Sequence, residues 1–180
     1  MTGNISDSTA ATERTALGVP LEPARLRERE DVAYDEQTYI HDNETHCAAD
    51  AAGRTVVGVT NERGKVLLLV AGEHAILPNC TIDAEADWAA AAHETAAETA
   101  GGPVALERVG AVRRVEHRVE GADTPHNVTF QVVVEATLAG EADPGVEDDE
   151  WTAGWFDEVP VPLDAEDSHG DAVADVRRFL

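Results

Sequence analysis

Lysine is almost missing from this chain: of 13 cationic side chains, Lys65 is the single lysine. Against these stand 36 carboxylates, spread along the whole length, and the net charge is −23. So little positive charge argues against non-specific binding to DNA or to an anionic membrane. It leaves open a small anionic ligand screened by a divalent metal or by local arginines. An evenly acidic, alanine-rich surface reads as adaptation to a halophilic, salt-filled cytoplasm, where charges are screened within about 3 Å at 1 M salt. At low salt the same charges repel one another and weaken the fold.

Cysteine is scarce too. Cys47 and Cys80 are widely spaced, which excludes a disulfide framework and a zinc ribbon and suits a reducing compartment. No apolar run approaches the roughly 18 residues of a membrane span. The first 20 residues lack a charged segment followed by an apolar one. Glycine-rich loops of the P-loop or Rossmann kind are absent, and no Ser/His/Asp or Cys/His arrangement is indicated. What is present is 43% hydrophobic residue in 180 positions, enough for one domain with a normal core. The expectation is a soluble, cytoplasmic protein whose oligomeric state the sequence leaves open.

Residues 1–20, rich in Ser, Thr, Ala and Gly, read as a poorly ordered tail. Residues 21–50 read as an N-terminal extension, with a short helix from Pro23 through Asp31 and Leu26 on its buried side. Thr38, Tyr39 and Ile40 can open a strand. His41, His46 and Cys47 invite a metal reading, but their H-x4-H-C spacing fits no common zinc template and a fourth ligand is not evident. They read as ordinary polar turn residues. His117, His126 and His169 have no partner that the sequence identifies.

The domain proper spans 51–180. The runs Thr55–Thr60 and Lys65–Val70, separated by Asn61–Gly64, predict a β-hairpin with strands covered on both faces. Ala75–Pro78 predicts a short strand and Asn79–Ala86 a loop. Asp87 is placed to cap a helix running to about Ala100, which Gly101-Gly102-Pro103 stops. Val104–Glu120 alternates enough for one or two strands. Asn127–Leu138 predicts a long strand, Trp151–Pro160 a short one, and the last twelve residues an amphipathic helix. Mixed elements without a βαβ repeat predict an α+β domain, a sheet sandwiched between helices.

The chemistry-bearing stretch is that alanine-rich helix. Glu94 and Glu98 are four residues apart and share one face. Two carboxylates on one face behind an acidic loop are a candidate Mg²⁺ site. Carboxylates make up one residue in five, so such a pair also arises by chance. Arg113, Arg114 and Arg118 concentrate positive charge after the helix. Phosphate recognition and ordinary surface ion pairing are both open for them. Trp155 and Phe156 read as core.

The order hairpin, Leu77-Pro78 turn, acidic loop and carboxylate helix resembles the Nudix hydrolases. Their signature, G-x5-E-x7-R-E-U-x-E-E-x-G-U with U aliphatic, holds divalent metal against a diphosphate. With His93 in the arginine place, Glu85, Glu94 and Glu98 fall on signature glutamates. Asn79 and Ala100 stand where the family has glycines, and Ala97 where it has another glutamate. Three of nine defined positions match. Anchoring on Leu77-Pro78 instead puts Cys80 on the first glycine. Trp155-Phe156 resembles the family's later strand, and the likeness covers roughly 51–180.

The resemblance implies a mixed sheet sandwiched by helices. It also implies a Mg²⁺- or Mn²⁺-dependent hydrolase of a nucleoside-diphosphate-linked small molecule. Glu94 and Glu98 would be catalytic metal ligands supported by Glu85, and Arg113 and Arg114 would contact substrate. Glu147, Asp148, Asp149 or Glu150 could supply the carboxylate missing at Ala97. The departures from the signature favour an alternative: a Nudix-fold domain without catalysis that senses a nucleotide or binds a protein.

Overall fold

The computed structural model describes residues 21–46, 49–145, 149–161 and 170–180. The tail expected at 1–20, Cys47 and His169 lie outside them. Eight strands form one mixed sheet: β1 (Ala33–His41), β2 (Gly53–Thr60), β3 (Val66–Ala71), β4 (His74–Ile76), β5 (Asn79–Ile82), β6 (Val104–Val119), β7 (Asn127–Leu138) and β8 (Thr152–Phe156). Helix α1 (Trp88–Ala100) covers one face and α2 (Gly170–Phe179) the other. The expected α+β class, a sheet between helices, is the observed one. Among the described residues no helix is long and apolar enough to cross a membrane.

The sheet runs β1-β6-β7-β2-β3-β4, with β5 added to β2 and β8 to β3. Two pairings are parallel, β1 with β6 and β2 with β7; the others are antiparallel. At the centre Val132, Val133 and Val134 of β7 are all 0% exposed. Val132 and Val134 face α1, and Val133 faces α2. A strand apolar at consecutive positions is stable only when both faces are covered, and each such valine contributes about 1.5–3 kcal/mol of burial.

The local signals for α1 act as expected. The Asp87 carboxylate accepts N–H groups from Ala89 and Ala90 at 3.0 and 3.1 Å, and Gly101 ends the helix in the left-handed region at φ 73°. Ala92, Ala96 and Ala100, spaced by four, are fully buried against the sheet. Their small side chains let the helix lie close to β2 and β7.

Three expectations are corrected. The runs expected to form a full hairpin pair only at Thr60↔Val66 and then part. β2 turns to β7 and β5, while β3 turns to β4 and β8. Long-range parallel pairing with the valine-rich β7 buries more of β2 than the local partner does. The predicted loop after Pro78 opens with β5, four residues paired to β2. The short helix at Pro23 is a 3-10 helix, Pro23–Glu28, with Leu26 buried as expected. The stretch read as an extension supplies β1 to the sheet, and Leu21, Leu26 and Val32 join the core beneath α1.

Candidate functional site

Burying the alanine stripe of α1 leaves Glu94 and Glu98 exposed on its outer side. Glu85 is exposed in the loop before the helix. Glu85, Glu94 and Glu98 do not form a set of three with all ligand atoms within 4.8 Å, because among the described residues only a histidine group meets that distance. The loop after β7 packs on the C-terminal end of α1. Gly145 donates its N–H to the Thr99 carbonyl at 3.0 Å. A side chain at Gly101 would stand 2.0 Å from the Asp143 carbonyl oxygen. Asp149 and Glu150 further along are exposed; Glu147 and Asp148 lie outside the described residues.

His93, in the signature's arginine place, donates Nε2–H to the Val104 carbonyl at 3.0 Å, tying α1 to the start of β6. The Cys80 thiol lies 3.2 Å from Thr55 Oγ1 and 3.8 Å from the Ala91 carbonyl, beneath the first turn of α1.

The arginines are engaged by protein carboxylates. Arg113 meets Asp175 of α2 through two hydrogen bonds, 3.0 and 2.6 Å, with side-chain exposures of 12% and 2%. Asp175 also accepts from Gln131 at 3.1 Å. This places Arg113 on the α2 face, opposite the carboxylate helix. Arg114 and Arg118 grip the two oxygens of Glu116 at 2.8 and 2.6 Å. These bonds, Arg114 first, hold the Glu116 carboxyl below its usual range. Trp155 and Phe156 are half-buried against the two cores, as expected for packing residues.

A second locus had no strong signal in the sequence. His41 at the end of β1, His46 in the following loop, His117 in β6 and His126 before β7 converge. His41 Nε2 lies 2.9 Å from His117 Nδ1, and His46 Nε2 lies 2.7 Å from His126 Nε2. The His41 and His46 rings stack at 3.8 Å with an interplanar angle of 1°. His117 is 3% exposed, and its Nε2 meets Thr129 Oγ1 at 2.9 Å. Burial, followed by its three histidine neighbours, lowers its pKa to about 4. His46 is lowered as well, first by burial. The only sequence hint was His41 with His46; their partners stand 76 and 80 positions further on.

No family model matches the chain, and no curated protein matches it. Among solved structures it is similar to an ADP-ribose pyrophosphatase from Streptococcus suis, at 18% identity over 68% of this chain and 86% of that one, TM-score 0.41. A UDP-X diphosphatase is similar at 12% identity over 72% of this chain and 62% of that one, TM-score 0.46. A Nudix hydrolase from Nitrosomonas europaea is similar at 23% identity over 60% of each chain, TM-score 0.39.

Proposed function

We propose that the chain is a Nudix-type hydrolase that cleaves the diphosphate bridge of a small nucleoside-diphosphate-linked substrate with Mg²⁺ or Mn²⁺. The observation that carries this reading is the outer face of α1. Its inner face is locked onto the sheet by alanines, which leaves Glu94 and Glu98 exposed one turn apart. Fit to the metal is argued from that donor set. Mg²⁺ keeps several waters and is held by one or two carboxylates together with substrate phosphates, not by a full protein cage. Two exposed glutamates on a rigid helix meet that need, with Glu85 in the preceding loop as support.

When bound, the metal neutralises diphosphate charge and lowers the pKa of an attacking water. Glu94 and Glu98 would hold it. His93 fixes the helix through Val104 and does not reproduce the carboxylate-binding fork of an arginine. The loop seated at Thr99 brings residues 141–145 to the same helix end, with Glu141 and Asp143 a source for the carboxylate missing at Ala97. Phosphate would compete with Glu116 for Arg114; Arg113, held by Asp175 on the α2 face, stands outside this site.

The test is product release from a panel of nucleoside-diphosphate conjugates in molar KCl with Mg²⁺. Turnover is expected, with a large loss in Glu98→Gln. No turnover on any conjugate by a folded chain removes the reading. The second reading, a nucleotide-sensing or protein-binding domain without catalysis, draws on Ala97 and His93. It predicts saturable nucleotide binding without hydrolysis.

A further inference from the structure

Four of the chain's seven histidines meet at one place. They come from separate stretches, and the sheet itself brings them together. The parallel ladder between β1 and β6 sets Tyr39 beside His117 and His41 beside Val119. The β6–β7 hairpin closes with the His126 N–H on the His117 carbonyl at 2.9 Å. By strand alternation His117 and Thr129 share a face with Arg113 and Gln131, so this locus lies across the sheet from α1.

We propose that His41, His46 and His117 form a binding site for one divalent transition-metal ion of the Zn²⁺ class, with His126 beside it. One ring nitrogen from each of the three lies within 4.8 Å of those of the other two. Tetrahedral Zn²⁺ bonded to imidazole at about 2.0–2.1 Å sets its nitrogens roughly 3.4 Å apart. Binding therefore turns the His41 and His46 rings out of their parallel stack so that both lone pairs meet at one ion.

Imidazole nitrogens facing one another at 2.9 and 2.7 Å each share a proton, which a metal displaces once the pair opens to about 3.4 Å. His117 can donate Nε2–H to Thr129 Oγ1, which leaves Nδ1 as a lone pair aimed at His41. That is the orienting bond that ligating histidines characteristically make through their other nitrogen. His126 Nδ1 is buried with no hydrogen-bond partner among the described residues. Such a nitrogen is satisfied by water. Imidazole ligands without thiolate select Zn²⁺, Ni²⁺ or Cu²⁺ over Mg²⁺, which makes this site chemically distinct from the glutamates of α1.

An open cavity of about 500 Å³ adjoins the cluster, lined by His126, Asp42, Glu44 and Thr124 among others. Three protein ligands leave a fourth position for water or an exogenous group, the arrangement of zinc sites that are not closed.

The test is titration of the full chain with Co²⁺, then with Zn²⁺ as competitor, in molar KCl, followed by visible d–d absorption. One equivalent with tetrahedral absorption is expected. His41→Gln and His46→Gln should each weaken binding by more than about 100-fold, beyond the 10–100-fold usual for outer-shell partners. Both positions are only half-buried; far-UV circular dichroism reports whether the fold survives. Zn²⁺ X-ray absorption on the unmodified chain is independent of any variant and should show at least three imidazoles. The Glu94→Gln/Glu98→Gln double variant should leave the tetrahedral Co²⁺ absorption unchanged, so this site and the proposed hydrolytic one fail separately. Absence of binding, an oxygen-only shell, or full affinity in the folded histidine variants would overturn the proposal.

Discussion

Arg113 of β6 and Asp175 of α2 are joined by two parallel hydrogen bonds between a strand and the helix that covers it, at 12% and 2% exposure. Breaking a buried ion pair by removing one member typically costs about 3–5 kcal/mol. Asp175→Asn is therefore expected to lower the melting temperature by on the order of 10 °C. Thermal denaturation in molar KCl checks this. A change within about 2 °C would mean that the pair carries little net stability.

The Phe179 ring lies against Gly58. A Cβ at that glycine would stand 2.1 Å from the ring, so the ring must move for any side chain to fit. Gly58→Ala is expected to destabilise by about 1–3 kcal/mol. Phe179→Ala removes the obstacle, and the double variant should cost clearly less than the sum of the single ones. Additive costs in a denaturation cycle would show that the contact does not set the docking of α2.

Acid should release Glu116. Its folded-state pKa is lowered, chiefly by Arg114 and then by Arg118. The sign follows: its contribution to stability is present above the unfolded carboxylate pKa and is lost as pH falls through the folded value. A carboxyl-carbon NMR titration should place Glu116 below the usual range. Arg114→Gln with Arg118→Gln should return it to that range, and an unchanged midpoint would show that the arginines are not the cause.

A net charge of −23 should make the fold salt-hungry. Lowering KCl from molar to about 0.1 M lengthens the screening distance from about 3 to 10 Å. The melting temperature should fall with each step. A flat profile would contradict the halophilic reading.

What could be read in the sequence was local. The cap at Asp87, the stop at Gly101 and the alanine spacing between them define α1 without reference to anything distant. The fold class and the position of most strands follow in the same way from short patterns. Strand partners do not. Thr55–Thr60 and Lys65–Val70 looked like mates because they are neighbours in sequence, while the valines of β7 offered β2 a better-buried partner. The histidine locus stayed hidden for the same reason: His41 needs the β1–β6 ladder before His117 is beside it. The carboxylates of α1 were legible because a helix brings residues four apart together by itself. The return of Gly145 to the helix end at Thr99 is announced by no short pattern.

The parallel pairing of β2 with β7 also bears on synthesis. Gly53 and Phe130 are ladder partners, so a nascent chain has made most of its length before the middle of the sheet can close. Until then the apolar residues of β2 and β3 wait for cover. Contacts of such long sequence separation slow folding, and exposed strands are prone to self-association in the interval. Any shortened version ending before Leu138 lacks part of the strand on which both layers rest. It should accumulate as aggregate and not as a smaller folded domain.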